Sequence, residues 1–331
     1  MRCAVIGAGA WGTALADLLA GNGHDTTLWA YETDVAAAIN AQHENPRFLA
    51  GMPLSPALRA TNDQADALRD ATLVVYATPS HHLRRIARES AHLVHRDAIL
   101  TVATKGIEQT SLALMTTVIE NEVPHHAVVG ISGPSFAAEV VAGQPTAIVA
   151  ASLSAPAARA AQSALSSSTF RVYTHHDLTG VELGGALKNV MAVATGIVEG
   201  VGLGYNSRAA LITRGLHEMT RLGVALGASA ATFAGLAGVG DLVLTCTGAL
   251  SRNRAIGVEI GKGASLAQAL AGKETVAEGV MTTASAFELA GVHGVDMPIV
   301  QMANRILFEG HTAREAVPEL MARELRPEQD L

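Results

Sequence analysis

Apolar residues in the first half of the chain fall into short, β-branched runs: "CAVIG", "TTLWA", "TLVVYAT", "AILTVAT", "AVVGIS", "TAIVAA" and "FRVYT". Several are nearly all apolar, which is how strands buried on both faces read, and the helical stretches between them supply the crossovers a parallel sheet needs. After about Thr179 the pattern changes to long Ala- and Leu-rich stretches with a helical period, such as "SRAALITRGLHEMTRLGVALG" and "TTASAFELAGV". Hardly a strand signal remains there. The expected fold class is α/β: a doubly wound, mostly parallel sheet over residues 1–179, then an all-helical C-terminal domain over 180–331, with no low-complexity linker and no internal repeat.

Composition narrows the picture. A chain of 331 residues with 49% hydrophobic and 16% charged residues can build two cores and does not read as disordered. A net charge of -7, with no basic run longer than Arg84-Arg85, argues against a nucleic-acid or anionic-membrane binder. Any anionic ligand must then be held by a few placed cations. Cys3 and Cys246 form no disulfide framework or metal-ligand spacing and read as small buried hydrophobes in a reducing cytoplasm. The N-terminal "MRCAVIGAGAWGTALADLLA" could pass for a signal peptide, but its glycines suit a strand-turn-helix better. The best candidate membrane span is broken by Lys188, Asn189, Thr195 and Glu199, so a soluble chain without a span is expected.

"GAGAWG", residues 7–12, is G-x-G-x-x-G directly after a strand and opening a helix. Glycines there allow a tight turn and the approach of a pyrophosphate to the backbone, while the helix N-terminus faces the anion. Glu32 follows Gly12 by twenty residues, at the end of the second strand, where a carboxylate can bond ribose hydroxyls. A Rossmann-like dinucleotide site built on Gly7, Gly9, Gly12 and Glu32 is the reading. Ligands in such sheets lie outside the carboxyl ends of the strands. Those ends read "ATPSHH", "ATKGIE" and "SGPSFAAE", polar or Gly/Pro-rich, and one holds Lys105. The "SGPSFA" turn can present N–H groups and Ser135 to part of an anionic ligand or be an ordinary capped helix start.

Lysine is rare here: 19 of the 23 basic residues are Arg, and only Lys105, Lys188, Lys262 and Lys273 are Lys. Lys262 and Lys273 lie among Gly and polar residues, as solvated surface does. Lys188 sits inside the apolar "VELGGALKNVMAVATGIV", where an ammonium must be paired, reach water along its stem, or do chemistry. Arginine cannot give up a proton; lysine can. Gly184 and Gly185, one turn earlier, are expected to leave room for a ligand beside it. In "GVGDLVLTCTGALSRNRAIG", Asp241 precedes an apolar run and needs a partner, and Arg252, Asn253 and Arg254 suit phosphate capture or a solvated turn. The pairs His81-His82, His125-His126 and His175-His176 do not converge from one face, and "HEMTR" lacks its second histidine. No metal is implied.

Taken together, "GAGAWGTAL", "ATKG", "GPSFAAE", "ELGGALKNVMAVATGI", "GVGDLVLTCTGALSRNR" and "ETVAEG" resemble, in order and spacing, the NAD(P)-dependent sn-glycerol-3-phosphate dehydrogenases of bacterial type, from Met1 to about residue 315. The resemblance implies reduction of dihydroxyacetone phosphate to glycerol 3-phosphate for phospholipid synthesis in the cytoplasm. It implies Lys188 as proton donor and acceptor at the substrate C2 oxygen, with Lys105 contacting both substrate and cofactor. Gly133, Ser135, Asp241, Ser251, Arg252 and Asn253 would line the substrate site, Arg252 also lying near the cofactor; Ala10, Trp11, Tyr31, Ala137, Val276 and Glu278 would complete the dinucleotide site. Ser135 stands where threonine is frequent, and "VAEG" replaces a commoner "VVEG". "WAYET" departs most: Tyr31 can lie on the adenine and Glu32 repels a 2'-phosphate, which favours NAD(H) and leaves NADP(H) open through Arg47 or another arginine. A phosphorylated small-molecule substrate and a homodimer are the partners in view. Two other readings are a β-hydroxyacid or 6-phosphogluconate dehydrogenase, whose asparagine four residues after the lysine is Ala192 here, and a non-catalytic NAD-binding redox sensor.

Overall fold

In the computed structural model, whose described residues are 1–272, 278–325 and 327–328, the chain divides into two compact units. Unit one comprises Met1–Lys105 and Ala113–Glu182; unit two comprises Gly106–Leu112 and Leu183–Leu331.

Unit one is an eight-stranded sheet of β1 (Arg2–Ile6), β2 (Asp25–Trp29), β3 (Arg59–Thr61), β4 (Leu73–Tyr76), β5 (Ile99–Val102), β6 (Ala127–Ser132), β7 (Thr146–Ala151) and β8 (Phe170–His175). Their order is β3-β2-β1-β4-β5-β6-β7-β8. All neighbours are parallel except β6 and β7, which pair antiparallel with Gly130 opposite Ala151. The alternation of a buried strand explains both faces: Val5, Leu73 and Val75 join one core, and Ala4, Ile6, Val74 and Tyr76 the other. From β1 the chain winds outward to β2 and β3, then returns to start β4 on the opposite side. The direction reverses between β1 and β4, and the ends of these strands are level, Ile6 opposite both Trp29 and Tyr76. A crevice outside the carboxyl ends at such a reversal is where this architecture takes ligands.

Glu182 is buried in unit one, accepting from the Thr116 backbone N–H at 2.9 Å and from its hydroxyl. Burial pushes its carboxyl up to about 7.

From Leu178 on, every regular element among the described residues is a helix. The helix Leu178–Gly200 is long and apolar enough to cross a membrane by length and composition, but nearly all of it is buried inside the protein. That is the position of a core helix: Lys188, Asn189, Thr195 and Glu199 interrupt the stretch less than expected, and burial in the fold accounts for its apolar composition. Its tightest neighbour is Arg252–Gly261: a Cβ on Gly257 would collide with the Val193 carbonyl, so these two helices meet backbone to backbone. The helix Pro298–Phe308 starts on a carboxylate from elsewhere in the fold, Glu218, which accepts from the N–H of Ile299 at 2.8 Å and of Val300 at 3.2 Å.

Candidate active site

The glycine loop after β1 is shaped by contacts that no side chain would permit. Gly7 has φ of +118°, and a Cβ there would stand 2.8 Å from the Ala77 carbonyl oxygen; a Cβ on Gly12 would collide with the Gly7 carbonyl. Gly9 is the N-cap of the helix Ala10–Gly21 and offers no side-chain cap, so the first N–H groups of that helix remain for an anion. From behind, buried Asn45 donates to the Ala8 carbonyl at 2.9 Å and to Thr13 Oγ1 at 2.8 Å, fixing the loop. Asn45 is a site-building residue that sequence reasoning missed, an isolated Asn between helix and turn with no local signal. Trp11 packs on the sheet core with its indole N–H buried and without a hydrogen-bond partner.

At the end of β2, Tyr31 is 73% exposed and meets Trp29 edge-on, ring centroids 6.4 Å apart. Glu32 is the N-cap residue of the helix Thr33–Gln42 but makes no cap hydrogen bond, and Arg47 Nη1 lies 3.9 Å from its Oε1. A tight loop at an uncapped helix N-terminus, with a carboxylate at the end of β2, fits a dinucleotide. Beyond β5 and β6, Lys105 Nζ donates to the Gly133 carbonyl at 3.5 Å, and Ser135 Oγ donates to the same oxygen at 3.0 Å. Ser135 therefore bends back on Gly133; it does not cap the short helix Ala137–Val141, whose N-cap is Phe136.

In unit two, the charge inside the apolar helix has its answer. Lys188 is 8% exposed, and its Nζ donates to Oδ1 of Asp241, which is fully buried. Thr245, one turn beyond Asp241, also reaches that Oδ1, at 3.3 Å. The expectation that Gly184 leaves space for a ligand is corrected: a Cβ there would collide with the Ala237 carbonyl, so backbone already fills that place. The close approach has a use. It seats the turn Leu236–Gly240 against the lysine helix and starts the next helix, Asp241–Thr247, with its carboxylate facing Nζ. Beside it, burial pushes the Cys246 thiol up to about 12, so this cysteine is an inert space-filler.

The "SRNR" stretch opens the helix Arg252–Gly261, with Ser251 as N-cap accepting from the Arg254 N–H at 3.3 Å. Its polar groups divide. Arg254 forms a bidentate pair with Glu199, at 3.0 and 2.7 Å, so it is engaged within the fold and not in phosphate capture. Asn253 donates to Asn189 Oδ1 at 3.0 Å and accepts from the Gly279 N–H at 3.0 Å. Arg252 alone has neither hydrogen bond nor ion pair among the described residues. Surrounding protein draws its pKa below the ordinary arginine value, with Glu278, at the start of Glu278–Val292, opposing. From sequence, Asn189 and Glu199 stand out only as polar interruptions of an apolar stretch, and Thr245 does not stand out. Val276 lies outside the described residues.

A doubly wound sheet with a glycine phosphate loop, joined to a helical unit carrying a buried lysine–carboxylate pair, defines a dinucleotide-dependent oxidoreductase class. The sequence models of the NAD-dependent glycerol-3-phosphate dehydrogenase N-terminus and C-terminus match residues 2–158 and 177–318. The chain is 51% identical over 330 residues to the glycerol-3-phosphate dehydrogenase (NAD(P)+) of Citrifermentans bemidjiense, covering 99% of this chain and 98% of that one. It is 50% identical over 332 residues to the same enzyme of Myxococcus xanthus, covering 99% of each. The crystal structure of glycerol-3-phosphate dehydrogenase from Coxiella burnetii superimposes with a TM-score of 0.93 at 39% identity, covering 97% of this chain and 98% of that one. The chain belongs to the NAD-dependent glycerol-3-phosphate dehydrogenase family.

Proposed function

We propose that this chain interconverts dihydroxyacetone phosphate and sn-glycerol 3-phosphate with a nicotinamide cofactor, supplying glycerol 3-phosphate for phospholipid synthesis in the cytoplasm. The observation that carries the reading is the buried Lys188–Asp241 pair, in a chain about half identical along its length to enzymes of that name. Bound NAD(P)H supplies the hydride that reaches C2. Lys188 polarises the C2 carbonyl and gives its oxygen a proton; in the oxidation it takes that proton back. An ammonium has three N–H donors, so Nζ can keep its bond to Asp241 while another points at substrate. Asp241 orients the ammonium and offsets its burial, and Thr245, whose hydroxyl donates to the Asp241 backbone carbonyl at 2.6 Å, lies beside the carboxylate. Arg252 takes the phosphate, because its guanidinium makes no hydrogen bond or ion pair with a carboxylate among the described residues. Asn253 and Ser251 hold that helix start in place beside it, and Lys105, Gly133 and Ser135 are the further substrate-binding residues of this reading.

The cofactor is held by Gly7, Gly9, Ala10, Trp11 and Gly12 at the pyrophosphate, and by Tyr31 and Glu32 at the adenosine. Lys105, Ala137, Arg252, Val276 and Glu278 serve its remaining parts. NAD(H) is favoured, NADP(H) is accepted, and the working form is a homodimer. The deciding assay mixes the purified chain with dihydroxyacetone phosphate and NADH or NADPH and follows loss of the reduced nicotinamide. Turnover is expected with the phosphate ester and is far weaker with unphosphorylated dihydroxyacetone. No turnover with either cofactor removes the reading.

A further inference from the structure

Half-buried arginines in this protein are almost all paired. Arg2, Arg84, Arg208 and Arg254 lie within 3.7 Å of a carboxylate, and Arg305 makes a close pair with Glu319. Arg214 and Arg221 break the pattern: equally half-buried, neither has a hydrogen bond or an ion pair among the described residues, and each has a buried nitrogen without a partner, Nη1 of Arg214 and Nε of Arg221. They are seven residues apart on one helix, Tyr205–Ala225, and so share a face, with His217 between them. Glu218 is felt electrostatically by Arg221 but makes no ion pair with it, and a partly desolvated guanidinium without a hydrogen-bonded counter-charge gains from an anion in contact.

Arg221 and His217 line a solvent-open depression of about 510 Å³. Thr220 lines it too, but its hydroxyl proton goes to the Leu216 carbonyl at 2.8 Å, so toward the depression it is an acceptor. Val224 and Val295 supply an apolar wall, and Asp296 stands at the rim. Asp296 does not neutralise Arg221, because its carboxylate is held by Arg323 at 2.7 Å. Glu218, whose charge Arg221 favours, spends its two carboxylate oxygens on the N–H groups of Ile299 and Val300 and forms no ion pair with that arginine. The depression thus combines an uncommitted fork of N–H donors, a short apolar wall and hydrogen-bond acceptors. None of its lining residues belongs to the Lys188–Asp241 site.

We infer that this depression is a second anion site, taking a small hydroxylated phosphate monoester: the phosphate on Arg221, its carbon body along Val224 and Val295, its hydroxyls on Thr220 and Asp296. Glycerol 2-phosphate has that chemistry and can be titrated calorimetrically into the parent, Arg221→Gln and Arg252→Ala. The parent is expected to show two classes of site, Arg252→Ala to keep the class that depends on Arg221, and Arg221→Gln to lose it, weakening that class by about tenfold or more as a charge-assisted contact does. Should Arg221→Gln fold poorly, Arg221→Lys keeps the charge but not the fork and should weaken the same class about tenfold. Binding in Arg221→Gln and Arg221→Lys unchanged from the parent, or a parent whose only binding disappears in Arg252→Ala, overturns the inference. Failure of the proposed dehydrogenase reaction would appear separately, as a parent inert toward dihydroxyacetone phosphate that still binds through Arg221.

Discussion

The glycine loop of unit one and the lysine–aspartate pair of unit two reach opposite solutions to the same problem of building a site inside a fold. The loop is made of backbone and of missing side chains, all within residues 7–12, and its tightest contact joins Gly12 to Gly7 five positions away. The pair is made of two side chains 53 residues apart, and the amide contact beside it joins Asn189 to Asn253, 64 residues apart. A local backbone cradle fails when atoms are added to it. A long-range charge pair fails when atoms are removed, because the partner is left charged and buried.

The sharpest way to break the comparison is at Lys188. Lys188→Ala should lower kcat by roughly 100-fold or more while NADH affinity stays near the parent value, because Lys188 is not among the residues proposed to hold the cofactor. It should also cost about 3–5 kcal/mol of stability by leaving Asp241 unpaired. The double variant Lys188→Met with Asp241→Leu separates the two effects: stability should return and turnover should not. A Lys188→Ala enzyme turning over within tenfold of the parent removes the residue from proton transfer. Arg252→Ala, in the same unit, should reduce kcat/KM for dihydroxyacetone phosphate by roughly 10- to 100-fold. An equal loss against unphosphorylated dihydroxyacetone would show that Arg252 does not read the phosphate.

The same contrast governs how much was legible beforehand. The glycine motif and the apolar strands are contiguous, so their pattern is complete within a few residues. β3 escaped because it is three residues long, with only Ala60 buried, and carries no apolar run. The antiparallel turn from β6 to β7 is equally silent, since a strand buried on both faces reads alike in either direction. In unit two, Lys188, Asp241 and the "SRNR" stretch were each visible as chemistry. Their pairing was not: it depends on the Ala237 carbonyl filling the space beside Gly184, and on Glu199 engaging Arg254 so that Arg252 is the arginine left over. Chemical type is a local property, and partnership is not.

Adding atoms tests the other side. Gly12→Ala should weaken NADH binding by about tenfold, in the range overpacking costs, with Lys188 and Asp241 untouched. Fluorescence titration of NADH measures it, and unchanged affinity would mean the loop does not hold the dinucleotide. pH offers a milder probe, of Glu218. Burial raises its carboxyl to about 7 from an ordinary 4.5, despite two backbone N–H groups that favour the anion. The folded state then binds a proton that the unfolded state has released, so this group's contribution to stability falls as pH rises from about 4.5 through about 7, and levels off above. Glu218→Gln should flatten that slope in chemical denaturation between these limits. A slope identical to the parent's would place the titration elsewhere, Glu182 being the other carboxyl raised to about 7.

The smallest expected effect is cofactor choice, and here the two modes of construction meet in one place. Glu32 sits at the end of β2, where the backbone delivers it by local sequence, but Arg47 comes from beyond the next helix to within 3.9 Å of it. A carboxylate alone would reject a 2'-phosphate by like-charge repulsion; a guanidinium at that distance lowers the repulsion and can itself turn toward the phosphate. Both groups are partly exposed, with side chains 37% and 26% accessible, so solvent and salt weaken their mutual attraction. The enzyme should therefore prefer NADH, by less than about tenfold in kcat/KM, a margin no larger than one exposed charge contact supports. Arg47→Ala should widen the preference by removing the only cation paired with Glu32 among the described residues, whereas Glu32→Arg should reverse it. The pair of variants moving the NADH-to-NADPH ratio in the same direction, or a parent that favours NADPH tenfold, would mean that neither side chain reads the ribose and that selectivity is set elsewhere in the dinucleotide site.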